Sequence, residues 1–147
     1  HNPANKFVAG FIGSPKMNFL AGELIEIGED KCKVKLHTGD IITACVDARR
    51  GKIGQKVELG IRPEHLVPVD HPDSSGRLSG HVQVAEHLGA ESFVYMEVDG
   101  RDFTVKAASE IPVDTGDVLE VGVPAQACYL FDEKEQAFPR TAKYNRT

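Results

Sequence analysis

The sequence has no tryptophan, only three cysteines, few aromatic residues and no long hydrophobic run. The cysteines are Cys32, Cys45 and Cys128, an odd number at wide spacing. Wide spacing speaks against a disulfide framework and against a metal site, which needs ligands presented together by one turn. Each cysteine lies among alternating apolar residues, so we expect three buried structural thiols.

The sequence also lacks an excess of positive charge. It has 22 Asp and Glu against 17 Lys and Arg, a formal net charge of −5 and a pI near 5.7. A protein that binds nucleic acid needs a basic groove with stacking aromatic side chains. Aromatic residues make up 7% of the chain, and we expect Phe93, Tyr95 and Phe103, which alternate with other residues, to belong to the core. No nucleic-acid partner is predicted.

Motifs for common chemistries are absent as well. The sequence contains no phosphate-binding loop, no dinucleotide fingerprint and no nucleophile elbow, and its six histidines lack metal-site spacing. We therefore predict no catalytic, cofactor-binding or metal-binding residues in this chain, and no enzyme activity of its own. No apolar run approaches the roughly 20 residues of a membrane span, and no signal peptide is recognisable, so we expect a cytoplasmic chain.

What is present is a short helix followed by ten predicted strands. The pattern of Asn2, Pro3 and Gly13 predicts a helix at the start. Runs of Val, Ile, Leu and Phe between glycine-containing turns then predict a mainly β chain, with strands near 18–27, 31–37, 41–46, 56–62, 65–69, 78–88, 92–98, 101–106, 117–123 and 127–131.

The two sets of five strands resemble each other, which predicts a duplication. The octet that starts at Gly54 aligns without gaps on the octet that starts at Gly116, an offset of 62, and Gly22 and Gly80 open equivalent long strands at an offset of 58. Five strands in about 60 residues match the size of a small barrel of the OB type. The predicted organisation is a connecting helix (1–16), a first OB-like barrel (17–70), a connector (71–77), a second barrel (78–131) and a polar surface tail (132–147).

Three stretches carry a resemblance to a known family: residues 7–20 (FVAGFIGSPKMNFL), residues 60–66 (GIRPEHL) and residues 82–91 (VQVAEHLGAE). In this order they resemble the C-terminal regulatory region, which includes the TOBE domain, of maltose-type ABC importer ATPases. Members of that family carry an ATP-hydrolysing domain before this region. The resemblance implies a fragment without its motor domain, whose ATP and magnesium would be bound in the missing part and not here.

The resemblance also implies a function and partners. Such regions hold two ATPase subunits together as a homodimer while the nucleotide-binding halves open and close beside transmembrane permease subunits. Some relatives also use the region as a docking surface for cytoplasmic regulatory proteins. The chain would then lie at the inner face of the plasma membrane through its parent transporter. The transported solute, a sugar, glycerol phosphate or another organic molecule, touches other subunits and is left open.

Candidate contact residues follow from the same resemblance. Phe7 and Phe11 are expected to join the barrels to the missing ATPase domain, although packing on the barrels themselves is an equal alternative. The remaining candidates, expected at the dimer or regulator contact unless they are simply turn residues, are Arg62, Pro63, Glu64, His65, Glu86 and Glu91. The alternative function is a TOBE-type module that senses a small oxyanion, with Thr104, Lys106 and Ser109 as candidate ligands that form no recognisable motif.

Overall fold

The computed structural model describes residues 4–6 and 16–144. The chain is mainly β, as predicted. Within these ranges, nine strands and two 3₁₀ helices follow one another: β1 (Asn18–Ile27), β2 (Cys32–Leu36), β3 (Ile41–Ala44), β4 (Lys56–Ile61), the first 3₁₀ helix (Pro63–His65), β5 (Ser74–Leu88), β6 (Glu91–Val98), β7 (Arg101–Ala107), β8 (Val118–Pro124), the second 3₁₀ helix (Ala125–Ala127) and β9 (Tyr129–Phe131). Among the described residues, no helix is long and apolar enough to cross a membrane.

Two antiparallel sheets of OB-like, partly closed form make up the fold. The first has the strand order β3-β2-β1-β4-β9 and the second the order β7-β6-β5-β8. Their registers correspond at the offsets predicted from the sequence. Gly22 pairs with Val57 in the first sheet, and Gly80 pairs with Leu119 in the second. The internal repeat of the sequence is therefore also a repeat of strand pairing.

Both long strands share a close approach and a bulge. A Cβ on Gly22 would lie 2.7 Å from the Lys35 carbonyl oxygen, and one on Gly80 would lie 3.0 Å from the Glu97 carbonyl oxygen. Neither position has room for a side chain. Each strand then has a register shift two residues later, after Leu24 and after Val82, which bends it at the same point.

The last predicted strand joins a different sheet from the one expected. β9 pairs with β4 of the first sheet, where Tyr129 faces Gly60, so its assignment to the second set of strands was wrong. Reciprocally, Val67, which follows the first 3₁₀ helix, bridges to Gly122 of β8 in the second sheet. Each half thus gives the segment after its 3₁₀ helix to the sheet of the other half. The exchange depends on contacts between residues far apart in the chain, which the local sequence does not encode.

Two other local assignments also differ. The strand predicted for residues 65–69 is replaced by the first 3₁₀ helix and the Val67 bridge, because Pro63 starts a tight turn. β5 begins at Ser74, within the predicted connector. The domain boundaries proposed from the sequence stay predictions.

One continuous core runs between the two sheets, with Leu24, Leu59, Leu78 and Met96 among its fully buried members. The three cysteines are free and buried, as predicted. Burial raises the pKa of the Cys32 thiol to about 11, and it raises the pKa of the fully buried Cys128 thiol further.

The tail after β9 is not confined to the surface, contrary to expectation. Phe138 is 1% exposed and belongs to the core. The Arg50 guanidinium lies 3.9 Å above the Phe138 ring and donates a 2.7 Å hydrogen bond to Asp132. A polar segment is therefore anchored by one buried aromatic ring.

Candidate functional site

The solvent-facing side of the second sheet carries exposed apolar side chains. Val84 is 49% exposed and Leu88 is 58% exposed on β5. Val84 lies opposite Tyr95, and Glu86 lies opposite Phe93. We call this surface the outer face, and its members are Val84, Glu86, Leu88, Glu91, Phe93, Tyr95 and Lys106.

Phe93 and Tyr95 are on this face, so the expectation that they are core residues was wrong; of the three aromatic residues, only Phe103 is buried in the core. The two rings stack with centroids 6.4 Å apart. The alternation of apolar residues correctly predicted a strand here, but it does not indicate which side of the sheet is buried.

The predicted contact residues Glu86 and Glu91 both lie on the outer face, Glu86 between Val84 and Leu88 on β5 and Glu91 opposite Leu88 at the start of β6. Glu86 accepts a hydrogen bond from the Tyr95 hydroxyl, which, with a smaller contribution from burial, raises the pKa of Tyr95. Glu91 forms a 3.1 Å ion pair with the Lys106 ammonium, which lies 5.9 Å from the centre of the Phe93 ring. The two carboxylates therefore frame and orient the aromatic pair.

The other four predicted contact residues lie at the first 3₁₀ helix. Pro63 is buried and Glu64 is exposed. The Arg62 guanidinium lies 5.8 Å from the Tyr129 ring, and the His65 ring makes an edge contact with Tyr144 at 5.3 Å. Three of these four residues thus also have packing roles inside the chain. Phe7 and Phe11 lie outside the described residues.

A groove of about 810 Å³ brings the 3₁₀ helix and the second sheet together. Its lining consists of Glu64, residues 66–70, Glu91, residues 105–112 and residues 119–121. We call it the edge groove, because it runs beside the ends of β7 and β8. Two predicted contact residues from different motifs, Glu64 and Glu91, meet there.

The candidate oxyanion ligands do not converge in the structure. Both the backbone N–H and the carbonyl of Thr104 are bonded to the Asn18 side chain at 2.8 Å. Lys106 is paired with Glu91, and Ser109 lines the edge groove. No group of three or more His, Cys, Asp or Glu side chains in the described segments is arranged to hold a metal ion.

Sequence reasoning missed Asn18, Val84 and Leu88. Asn18 is a buried polar residue that caps the free edge of β7 across the two sheets. Val84 faces outward because the shift between Val82 and Val84 reverses the side that the strand presents. The one sequence signal for Asn18 is that a polar residue begins a strand that is otherwise mainly apolar.

Comparison with known proteins agrees with this architecture. Residues 13–66 match the MalK OB fold domain and residues 59–131 match the TOBE domain. The chain is 42% identical over 147 residues to the maltose/maltodextrin import ATP-binding protein MalK of Vibrio parahaemolyticus, with 99% of this chain and 39% of that protein covered. The chain belongs to the family of MalK-type OB and TOBE domains.

Other MalK relatives give the same picture. The MalK protein of Salmonella typhi is 38% identical over 142 residues, covering 95% of this chain and 38% of that protein. The chain thus spans about two fifths of the length of the curated relatives it matches. Among solved structures, the cytoplasmic molybdate-binding protein ModG, with molybdate bound, superimposes with a TM-score of 0.64 at 18% identity, covering 77% of this chain and 94% of ModG. That likeness shows a shared fold.

Proposed function

We propose that this chain is the regulatory and dimerisation region of the ATP-binding subunit of an ABC importer for sugars or related solutes. The observation that carries the proposal is the match, over 99% of the chain, to MalK import proteins. ATP and magnesium would be bound by a separate ATPase domain, and permease subunits would hold the assembly at the inner face of the membrane. The chain itself would perform no catalysis.

The physical role of such a region is to keep two ATPase subunits close together. A lasting contact between the regulatory regions turns closure of the nucleotide-binding halves into an intramolecular step at high effective concentration. A regulatory protein that binds one arrangement better than the other would shift the populations by its difference in affinity.

The outer face is the surface that best fits a contact with a second copy. It combines the exposed side chains of Val84 and Leu88 with the stacked Phe93 and Tyr95. Exposed apolar surface of this kind marks interaction sites in soluble proteins. Glu91 lies at its margin, where charged groups contribute to specificity and encounter rate more than to affinity.

Sensing of an oxyanion is the weaker alternative. The ModG likeness concerns the fold, and the ammonium of Lys106 already faces Glu91 at 3.1 Å. The edge groove around it is lined by five carboxylates and one ammonium among the described residues. A small anion would be repelled by such a lining, because carboxylates raise the energy of a nearby negative charge.

A chimera tests the proposed function. The chain replaces the equivalent region of the Vibrio parahaemolyticus MalK protein, and the hybrid is reconstituted with that importer's permease subunits in liposomes. We expect ATP-dependent maltose uptake within about tenfold of the parent. The matched control, the parent protein truncated before this region, should lose uptake. A folded chimera with uptake no better than the truncated control would contradict the proposal.

A further inference from the structure

Among the described residues, the second sheet lacks an equivalent of β9, and this difference between the two halves creates the edge groove. In the first sheet, β9 pairs with β4 over three residues. At the repeat offset of 62, the equivalent segment is residues 67–69, of which only Val67 bridges to β8. The Pro68 carbonyl instead accepts a 3.0 Å hydrogen bond from the His71 N–H, so a turn leads the chain away. Within residues 4–6 and 16–144, no strand fills the fifth position beside β8.

In the part of the chain that the structure describes, the edge of β8 therefore presents unpaired backbone at Glu120. Gly122 exchanges hydrogen bonds with Val67 on the side away from β5. In an antiparallel strand, residues two apart direct their N–H and C=O groups to the same side. Glu120 thus directs its backbone N–H and C=O into the groove. If the second sheet had a strand equivalent to β9, Val69 would lie opposite Glu120 and pair with these groups.

The edge of β7 presents unpaired backbone on the opposite wall. The Asn18 side chain satisfies both backbone groups of Thr104 on the side away from β6. By the same alternation, Lys106 directs its backbone N–H and C=O to that side. No strand of the described ranges pairs with this edge of β7. The groove is thus bounded by two strand edges that are both open to pairing.

The walls and rim define the chemistry of an occupant. The walls are apolar, with Leu66, Val105, Ile111 and Leu119 among their residues. The charged lining residues are five carboxylates and one ammonium, the carboxylates being Glu64, Asp70, Glu91, Glu110 and Glu120. Two of them face cations of this chain, Glu91 at 3.1 Å from Lys106 and Glu120 at 3.7 Å from Arg77, so an excess of negative charge is left at the groove. An extended segment with apolar side chains toward the walls and Lys or Arg toward the rim complements both features.

We infer that the edge groove is a docking site for an extended, basic and apolar peptide segment of a partner protein, which adds to the second sheet as its missing strand. Main-chain hydrogen bonds to the open edges at Lys106 and Glu120 give the binding energy of strand addition, and the carboxylate rim selects for positive charge. The groove shares Glu91 and Lys106 with the outer face, but its lining does not include Val84 or Leu88, the apolar residues that the proposed dimer contact uses.

Fluorescence anisotropy with a labelled heptapeptide of alternating lysine and valine tests this inference. We expect saturable binding with a Kd on the order of 100 µM or tighter. The double variant Glu64→Gln, Asp70→Asn should weaken binding about tenfold, because two exposed side chains at the rim lose their charge. Thermal unfolding followed by circular dichroism checks that this variant is folded. The matched control Glu23→Gln, Glu26→Gln removes two exposed carboxylates of β1 and should leave the affinity unchanged.

Two further peptides separate strand addition from simple attraction. N-methylation of alternate residues in the same peptide removes the hydrogen-bond donors of one edge and should weaken binding about tenfold. A heptapeptide of alternating glutamate and valine should not bind. The inference would be overturned if the lysine–valine peptide does not bind, if N-methylation leaves its affinity unchanged, or if the rim and control variants lose affinity equally. It would also be overturned if the groove binds molybdate but not the peptide. The Val84→Ser, Leu88→Ser variant should still bind the peptide, and loss of binding in that variant would contradict the inference.

Discussion

Val67 and Gly122 exchange two backbone hydrogen bonds, of 3.1 Å and 2.6 Å, across the boundary between the two halves of the repeat. Tyr129 and Gly60 form the equivalent pair in the other direction. The halves therefore complete each other's sheets and share one hydrophobic core.

This exchange predicts that neither half folds alone. Peptides covering residues 1–70 and 71–147 should each lack cooperative thermal unfolding when followed by circular dichroism, because each loses its edge partner and part of the shared core. Mixed in equal amounts, they should regain a cooperative transition. A half that melts cooperatively by itself would contradict the interlocked architecture.

Gly122 should tolerate no side chain. A Cβ there would lie 2.9 Å from the Pro68 carbonyl oxygen and 2.5 Å from the Ser74 hydroxyl. We expect Gly122→Ala to lower the free energy of unfolding by about 1–3 kcal/mol, since the backbone has to shift. Urea denaturation measures the change. Glu120→Ala, at an exposed position of the same strand, should stay within about 0.5 kcal/mol of the parent; equal effects of the two variants would argue against a steric cause.

Phe138 should anchor the segment after β9. Its ring is buried and stacks under Arg50. We expect Phe138→Ala to cost about 3–5 kcal/mol of unfolding free energy and to expose residues 132–144 to limited proteolysis. Phe93→Ala, at a half-buried ring of the outer face, is the matched control and should cost less. A cut pattern unchanged by Phe138→Ala would show that the segment is held by other contacts.

Asp132 should make the protein sensitive to acid. Burial acts to raise its pKa, but hydrogen bonds from the Gln136 N–H, the Arg50 side chain and the Lys134 N–H outweigh burial and lower it. A carboxyl with a lowered folded pKa contributes stability above its unfolded pKa of about 3.9, and that contribution is lost as the pH falls through the folded value.

The comparison with Asp132→Asn measures this contribution. The stability advantage of the parent over Asp132→Asn, from urea denaturation, should be largest near pH 6 and shrink toward about pH 3. The exposed Glu133→Gln serves as control and should follow the parent at each pH. A constant difference between the parent and Asp132→Asn would indicate that the aspartate contributes through shape and not through its charge.

The sequence predicted local structure better than the pairing of distant segments. β1 begins at Asn18 and ends at Ile27, as the apolar alternation indicated. Residues 67–69 also alternate, but Pro68 and the exchange between halves decide their conformation, and both effects depend on tertiary contacts. Alternation likewise located Phe93 and Tyr95 on a strand but gave no information about which side of the sheet faces water.

The candidate site was predictable only as separate motifs. Glu64 and Glu91 come from stretches distant in sequence, and their meeting at the edge groove follows from the packing of the first 3₁₀ helix near β7. The exposed Val84 has no sequence signal, because a register shift sets its direction.

The central claim is that the outer face holds two copies of the chain together. The association state of the chain tests this claim most directly. Multi-angle light scattering over a concentration series should show the mass rising from the monomer value of 16.0 kDa toward twice that value. Val84→Ser, Leu88→Ser should keep the chain monomeric, whereas Ile53→Ser, at an equally exposed apolar residue in a turn of the first half, should still dimerise. A parent chain that stays monomeric up to about 1 mM, or a dimer that the outer-face variant leaves unchanged, would contradict the account.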